Sequence, residues 1–336
     1  MNLPTLDLLD VSEKRVLVRS DLDVVTSGGE VHEAKRFEFL LPTLTTLLER
    51  GAKRITLIGH RGRPNGQKSD ELSNKPLISY FEQKLGKAVA FAQEFSEAEA
   101  LPSEVVLFEN LRFWAGEEEN SSEFAQQLAK LGDVYVNEAF GSSHRAHASI
   151  VSIPKLLPHA AGLRFAAEVE HLTKVLTNPA RPLIFIISGA KEDKLEYVKH
   201  FSELADKVLV GGKLPMYLGG RDLGQKVVVA RLLPDNEDIT MHAIEHFEGE
   251  IKRAKTVVIS GPLGKFEEDG HRQGTKRVFE TIATTDCYSL AGGGDTEHAL
   301  AELGLREKID WVSTGGGAML ELLAKGTLPG IEALMQ

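Results

Sequence analysis

Ser289-Leu-Ala-Gly-Gly-Gly-Asp-Thr-Glu-His-Ala-Leu300 sets three glycines, a carboxylate and a hydroxyl between an apolar run and a segment able to form a helix. That is the pattern of a strand, a tight turn and a helix start. Glycine lets a ligand approach the backbone with no Cβ in the way. The first N–H groups of a helix, and the positive end of its dipole, favour phosphate. Asp295 alone would repel an anion. A divalent metal reconciles the two, because Mg²⁺ takes one or two carboxylates together with phosphate oxygens. Taken alone, the stretch is equally an ordinary turn in which Asp295 caps the helix.

Recurrence favours the ligand site. Trp311-Val-Ser-Thr-Gly-Gly-Gly-Ala318 repeats the design. Leu183-Ile-Phe-Ile-Ile-Ser-Gly-Ala-Lys191, Val208-Leu-Val-Gly-Gly212 and Val257-Val-Ile-Ser-Gly-Pro-Leu-Gly264 are variants of it. The carboxyl ends of parallel strands share one edge of a sheet, and ligands bind there. Glycine-rich ends along that edge point to a ligand bearing phosphates. The spacing of a P-loop is absent.

The first half carries a different chemistry at its strand ends: Arg19, then His60 with Arg61 and Arg63, then Arg112, then His144 with Arg145. Arg36 stands just before a helix. Any one of these is more readily a surface arginine paired with an acid, which is worth little. Gathered on one edge they form a basic pocket, and the fixed fork of arginine suits phosphate and carboxylate. The first half is therefore expected to hold a small polyanion and the second a nucleotide.

Those side chains need a frame of strands alternating with helices. Strands are expected over Lys14–Val25, Lys53–Gly59, Val89–Phe91, Val105–Phe108 and Asp133–Phe140, with helices over Phe37–Arg50, Lys75–Leu85 and Ser121–Leu131. Gly28-Gly29 is expected as a turn. Leu163–Leu176 reads as a helix between the halves, and Asn178-Pro-Ala-Arg-Pro182 as a break. Phe247–Arg253 reads as a helix ahead of the glycine-ended strand at Val257. Such alternation implies parallel sheets with right-handed crossovers. The expected division is 1–162, a hinge helix over 163–180, 181–320, and a C-terminal tail over 321–336.

A chain of 336 residues is ample for two domains. Its formal net charge of −10 argues against nucleic acid as the main partner. Cys287 is the only cysteine, so no disulfide forms within the chain, and its apolar surroundings make it a core residue. No signal pattern and no run of membrane-spanning length is present. A cytoplasmic protein is expected.

Taken together, the motifs resemble those of the phosphoglycerate kinase family over nearly the whole chain. The resemblance rests on Leu107-Phe-Glu-Asn-Leu-Arg-Phe113 with Gly116-Glu-Glu-Glu-Asn120, on Asp133-Val-Tyr-Val-Asn-Glu-Ala-Phe-Gly-Ser-Ser-His-Arg-Ala-His-Ala-Ser149, and on His60-Arg-Gly-Arg-Pro64. Gly189-Ala-Lys191, Gly261-Pro-Leu-Gly264 with Phe266-Glu267, Gly292-Gly-Gly-Asp-Thr296 and Ser313-Thr-Gly-Gly-Gly-Ala318 complete it. Their shared order is highly specific. It implies an α/β protein of two Rossmann-like lobes, each a parallel sheet flanked by helices, joined by a hinge helix.

It also implies reversible phosphoryl transfer between 1,3-bisphosphoglycerate and Mg-ADP, giving 3-phosphoglycerate and ATP. Carried over by position, Asp21, Asp23, Arg36, His60, Arg63, Arg112 and Arg145 would bind the glycerate substrate. Lys191, Lys194, Gly211, Glu267, Gly293, Gly294, Asp295 and Thr296 would bind nucleotide, with Asp295 on Mg²⁺ and Glu267 on the ribose. Arg36 and Lys191, with the backbone N–H groups around Gly293 and Gly316, would meet the phosphoryl group in transfer. The partners implied are small molecules, with no nucleic acid and no membrane, on a monomeric chain.

The chain departs from the family pattern in several places. Asp23 stands where asparagine is usual, Val25 where proline is usual, and Ser260 where asparagine is usual. Lys191 and Lys194 are one residue closer together than usual. Gly211-Gly-Lys-Leu-Pro215 lacks a third glycine, and the stretch between Gly212 and Asp238 is shorter by several tens of residues. Two other readings stand beside the kinase. One is a related binding protein that has lost turnover. The other is a dinucleotide dehydrogenase, which lacks a clear Gly-x-Gly-x-x-Gly with its acid and leaves the basic pocket unexplained.

Overall fold

The computed structural model describes residues 3–27, 30–32, 35–221 and 223–336, so the turn expected at Gly28-Gly29 lies outside the described residues. The chain divides into two compact units, 1–170 with 327–336, and 171–326.

The first unit is built on six parallel strands in the order β5-β6-β4-β1-β7-β8. These are β1 (Arg15–Arg19), β4 (Arg54–Ile58), β5 (Val89–Ala92), β6 (Val105–Phe108), β7 (Val134–Asn137) and β8 (His159–Ala161). A small antiparallel ladder joins β2 (Val25–Ser27) to β3 (Glu30–His32). Around the sheet run α1 (Lys35–Glu49), α2 (Ile78–Leu85), α3 (Phe95–Ala100), α4 (Ala115–Glu118) and α5 (Ser122–Ala129). β6 and β7 are buried at every position, as strands covered on both faces must be. β8 was not expected from sequence, because its three residues, His-Ala-Ala, carry no apolar alternation.

α6 (Leu163–Thr177) follows, and the division between units falls inside it, after Glu170. Its start is held by a buried carboxylate. Glu138, just past β7, accepts from the backbone N–H of Arg164 at 3.0 Å and of Phe165 at 2.9 Å, and from Thr43 Oγ1 at 2.5 Å. Burial pushes this carboxyl up from the ordinary 4.5 to about 7, against those hydrogen bonds. The folded form therefore binds a proton between pH 4.5 and 7 that the unfolded chain has released. The contribution is full below 4.5 and is lost as pH rises through 7, a swing of about 3 kcal/mol. Glu138→Gln is expected to flatten this part of the stability–pH curve. Urea unfolding of both forms at pH 4.5, 6 and 7.5 measures it, and parallel curves would refute it.

The second unit repeats the architecture in the order β11-β10-β9-β12-β13-β14, again all parallel. Its strands are β9 (Leu183–Ile187), β10 (Lys207–Val210), β11 (Val227–Val229), β12 (Thr256–Ser260), β13 (Tyr288–Gly292) and β14 (Trp311–Ser313). Its helices are α7 (Leu195–Leu204), α8 (Met241–Ile251), α9 (Gln273–Thr284), α10 (Gly294–Glu302) and α11 (Gly316–Lys325). The five glycine-ended runs are all strands of this sheet, and β11 is an added edge. The helix expected over Phe247–Arg253 begins earlier, because the Thr240 hydroxyl accepts from Ala243 N and caps it there. Numbered within the unit, the order is 3-2-1-4-5-6, with its topological switch point between β9 and β12.

Residues 321–336, expected as a tail, hold the end of α11 and a further helix, α12 (Pro329–Leu334). α12 belongs to the first unit: Gly330 N donates to Ser143 O at 2.9 Å, and Ile331 and Leu334 are buried. Cys287 is half-buried against the second core, and burial raises its thiol to about 11, out of the range of a nucleophile.

Candidate active site

In the first unit the carboxyl ends of β1, β4, β6 and β7 gather the expected cations. Arg19, at the end of β1, is fully buried. Its Nε donates to Ser149 Oγ at 2.8 Å and its Nη2 to His60 Nδ1 at 3.0 Å. Glu117 on α4, also fully buried, lies 4.0 Å from Arg19 and accepts from Ser149 N and Oγ at 3.0 and 2.6 Å. Burial raises the Glu117 carboxyl, while Arg19 opposes the shift. Arg19 is thus a fixed buried charge with its own counter-ion, and no sequence rule marks Glu117 among three consecutive glutamates.

His60 is buried after β4, and its imidazole is held well below its ordinary value, by burial first and then by Arg19, Arg112, Arg145 and His147. An arginine can only donate, so His60 Nδ1 is the acceptor and Nε2 carries the hydrogen. Asp23 Oδ2 lies 4.0 Å from that Nε2, and Asp23 Oδ1 accepts from Gly62 N at 2.8 Å. His147, pulled down to about 3 by burial and then by Arg112 and Arg19, is neutral as well.

Arg112 is buried just past β6, where Nη1 donates to Gly62 O at 2.7 Å. Glu118 Oε1 lies 3.2 Å from its Nε but off the N–H direction, and Nη2 has no hydrogen-bond partner among the described residues. A buried arginine with unspent donors asks for an anion. Arg145, partly buried, donates to His144 Nε2 at 3.3 Å. Arg36, at the start of α1, grips both oxygens of Asp21 at 3.1 Å. Arg63 stands exposed on the loop after β4. Arg61, by contrast, spends both Nη groups on structure, donating to Thr26 Oγ1 at 2.6 Å and to the carbonyls of Val24 and Ser73, and only its Nε is left without a partner among the described residues. A cavity of about 830 Å³ is lined by Asp23, Arg36, Arg61, Gly62 and Leu72 among others, and not by Arg19, His60, Arg112 or Arg145.

In the second unit the strand ends β9, β10, β12, β13 and β14 meet at glycine turns. The glycines divide into two kinds. A Cβ on Gly261 (φ +100°) would lie 2.0 Å from Ser188 O, and one on Gly316 would lie 2.5 Å from Gly293 Cα. One on Gly211 would lie 2.5 Å from Leu263 Cδ1. These three make room for the protein itself. Among the described residues, a Cβ on Gly294 would meet nothing within 4 Å, and one on Gly293 (φ +111°) would meet only side-chain oxygens of Thr296 and Ser260. Those two leave open space at the start of α10, whose first N–H groups have no acceptor within the helix.

Asp295 is exposed in that first turn. Thr296 is buried, and its hydroxyl accepts from Gly261 N at 2.8 Å and donates to Gly292 O at 3.0 Å. Lys191 is exposed after β9, and Lys194 turns inward to donate from Nζ to Ser188 O at 2.7 Å. Burial pulls the Lys194 ammonium down to about 8, with Asp295 opposing. A cavity of about 360 Å³ is lined by Gly189, Gly212, Leu263, Phe266, Glu267 and Asp295, and also by Lys213 and Glu237. Sequence reasoning missed Lys213 and Glu237 as site residues; the missing third glycine at position 213 was the available signal.

Comparison with known proteins bears on both edges. The family model for phosphoglycerate kinase matches residues 6–229 and 224–326, so its match breaks beside β11. The phosphoglycerate kinase of Thermomicrobium roseum is 37% identical over 385 aligned positions, covering 98% of this chain and 98% of the relative. That of Moorella thermoacetica is 36% identical, covering 99% of each. Among solved structures, phosphoglycerate kinase from Coxiella burnetii superposes with a TM-score of 0.86 at 28% identity, over 100% of this chain and 99% of that one. The enzyme from Pyrococcus horikoshii OT3 gives 0.85 at 26% identity, over 99% and 98%.

Proposed function

The chain belongs to the phosphoglycerate kinase family, and from that premise we propose which of its residues carry the reaction. That reaction is the glycolytic transfer of a phosphoryl group between 1,3-bisphosphoglycerate and ADP, giving 3-phosphoglycerate and ATP, reversibly, with a carboxyl group as acceptor. The glycerate substrate sits at the carboxyl edge of the first sheet and the nucleotide at that of the second. The observation that carries the first placement is Arg112, buried with an unspent Nη2 beside Arg19 and Arg145.

In this reading His60 donates from Nε2 to the substrate anion and moves no proton, since the attacking oxygen in either direction is already ionised. Arg112 and Arg145 fix the anion, and Arg36 meets charge on the transferring group. Asp21 orients Arg36 by gripping it from one side. Asp23 is tolerated because Gly62 N–H and the nearby arginines offset its charge. Lys191 and Lys194, with the N–H groups at the start of α10, hold the nucleotide phosphates. Glu267 takes the ribose. Catalysis here is positioning and electrostatics.

Mg²⁺ fits this second edge, because Asp295 offers one carboxylate at an open helix start and nucleotide phosphates supply the other oxygens. Bound there with the nucleotide, the ion would neutralise phosphate charge. The protein works as a monomer in the cytoplasm, with α6 as its hinge. Scattering profiles equal with and without both substrates would sink the hinge.

The reading is tested by giving purified protein 3-phosphoglycerate, Mg²⁺ and ATP, and following NADH loss through a coupled dehydrogenase. Turnover supports it. A folded protein without turnover would favour the binding-protein reading. Lys194 adds a pH signature. Its ammonium is charged below pH 8 and neutral above, so ADP affinity is expected to fall as pH rises through about 8. Calorimetric titration of ADP at pH 7, 8 and 9 reads this. The same slope in Lys194→Met would show that another group is responsible.

A further inference from the structure

We propose that Lys213 and Glu237 read the base of the nucleotide and favour guanine over adenine; this rests on the nucleotide site described under Proposed function. Lys213 Nζ and Glu237 Oε1 are 2.8 Å apart on the wall of the second-unit cavity. Both side chains are partly exposed, at 38% and 28%, so the pair is cheap to redirect towards a ligand. They flank the stretch at 224–229 where the family match breaks.

Both are held in place by backbone. Lys213 N donates to Gly189 O at 2.9 Å, beside the turn that ends β9. Glu237 lies in a short turn pinned from two sides. Its carbonyl accepts from Lys265 N at 2.8 Å, and its N–H donates to Asp235 Oδ1 at 3.1 Å. Asp235 is tied in turn to His271 Nε2 at 2.9 Å. With the backbone fixed at both positions, only the two side chains need turn towards a ligand. Leu263 and Phe266 line the same cavity and offer an apolar surface to a purine ring.

The chemistry of the pair selects between purines. Guanine presents N1–H and N2–H side by side, two donors for one carboxylate, with O6 next to them as an acceptor for an ammonium. Adenine presents a single exocyclic amine and acceptor nitrogens, so it gives the carboxylate one hydrogen bond at most along an edge. A bidentate contact to a base edge discriminates by roughly tenfold or more.

The test compares kcat/KM for ATP and GTP, with saturating 3-phosphoglycerate and Mg²⁺, in the full chain and in Glu237→Gln. GTP is expected to serve at least as well as ATP in the unsubstituted protein. Glu237→Gln is expected to move the GTP-to-ATP ratio towards ATP by roughly tenfold, and Lys213→Met to move it the same way. Thermal unfolding verifies that each variant is folded. An ATP preference in the unsubstituted protein, or variants that lower both nucleotides by the same factor, would overturn the base reading and leave the kinase standing. Absence of turnover with both nucleotides would overturn the kinase reading and this inference with it.

Discussion

Arg36→Ala is expected to lower kcat by roughly 10³-fold while leaving the protein folded. Arg36 is the second residue of α1, and its guanidinium reaches back across the edge of the first sheet to both oxygens of Asp21. It is 40% exposed, so it holds no core together, and its pair with Asp21 is worth no more than about 1 kcal/mol to stability. In the proposed reaction its value would lie in the charge it offers to a phosphoryl group whose equatorial oxygens carry the charge of transfer. Removing it would also take from Asp21 the guanidinium that grips both its oxygens, beside the proposed anionic substrate. The Lys variant keeps the charge and loses the fork, so Arg36→Lys is expected to fall between the two. Steady-state kinetics with urea unfolding alongside decides it. A kcat within about tenfold of the original, in a folded Arg36→Ala protein, would remove Arg36 from the reacting centre.

Gly261→Ala is expected to destabilise the second unit by about 3–5 kcal/mol. Gly261 follows β12 at φ +100°, a conformation that costs any other residue. Its Cβ would lie 2.0 Å from Ser188 O and 2.8 Å from Gly189 N. Both neighbours are backbone at the end of β9, where Ser188 N donates to Ser260 O at 2.8 Å. Neither can move without parting the two strands at the switch point. Gly294→Ala provides the contrast. Its Cβ meets nothing within 4 Å and the position is helical, so unfolding should be little changed or slightly later. Nucleotide affinity should fall, because the methyl would occupy the open space at the start of α10. Denaturant unfolding and ADP titration of both variants separate room for backbone from room for ligand. A Gly261→Ala protein within about 1 kcal/mol of the original would defeat the packing argument.

Much of the frame was legible in the chain. Apolar runs of four or five residues ending in glycine are buried on both faces when they form parallel strands, and that signal is strong over 183–187, 207–210 and 256–260. The short edge strands β8 and β11 gave no such signal, since three residues cannot establish a period. The site was legible as residue types and not as contacts. Arg19, Arg61 and Arg112 look alike in sequence, and only their partners separate them. Arg19 has its own buried acid, Arg61 spends both Nη groups on carbonyls and a hydroxyl, and Arg112 keeps Nη2 without a partner among the described residues. The glycines divide in the same way.

The sequence by itself determined the period of the strands, the cation-rich ends of one sheet, the glycine-rich ends of the other and the order of motifs that marks the family. These are properties of neighbouring residues, and local chemistry writes them directly. Tertiary structure decided which charges are compensated, which histidine nitrogen carries its hydrogen, which glycine faces backbone and which faces open space, and that Lys213 meets Glu237. Each of those depends on the end of one strand coming within a few ångströms of another that lies tens of residues away. Burial and approach at that distance are set by packing the whole sheet, and no local pattern encodes them.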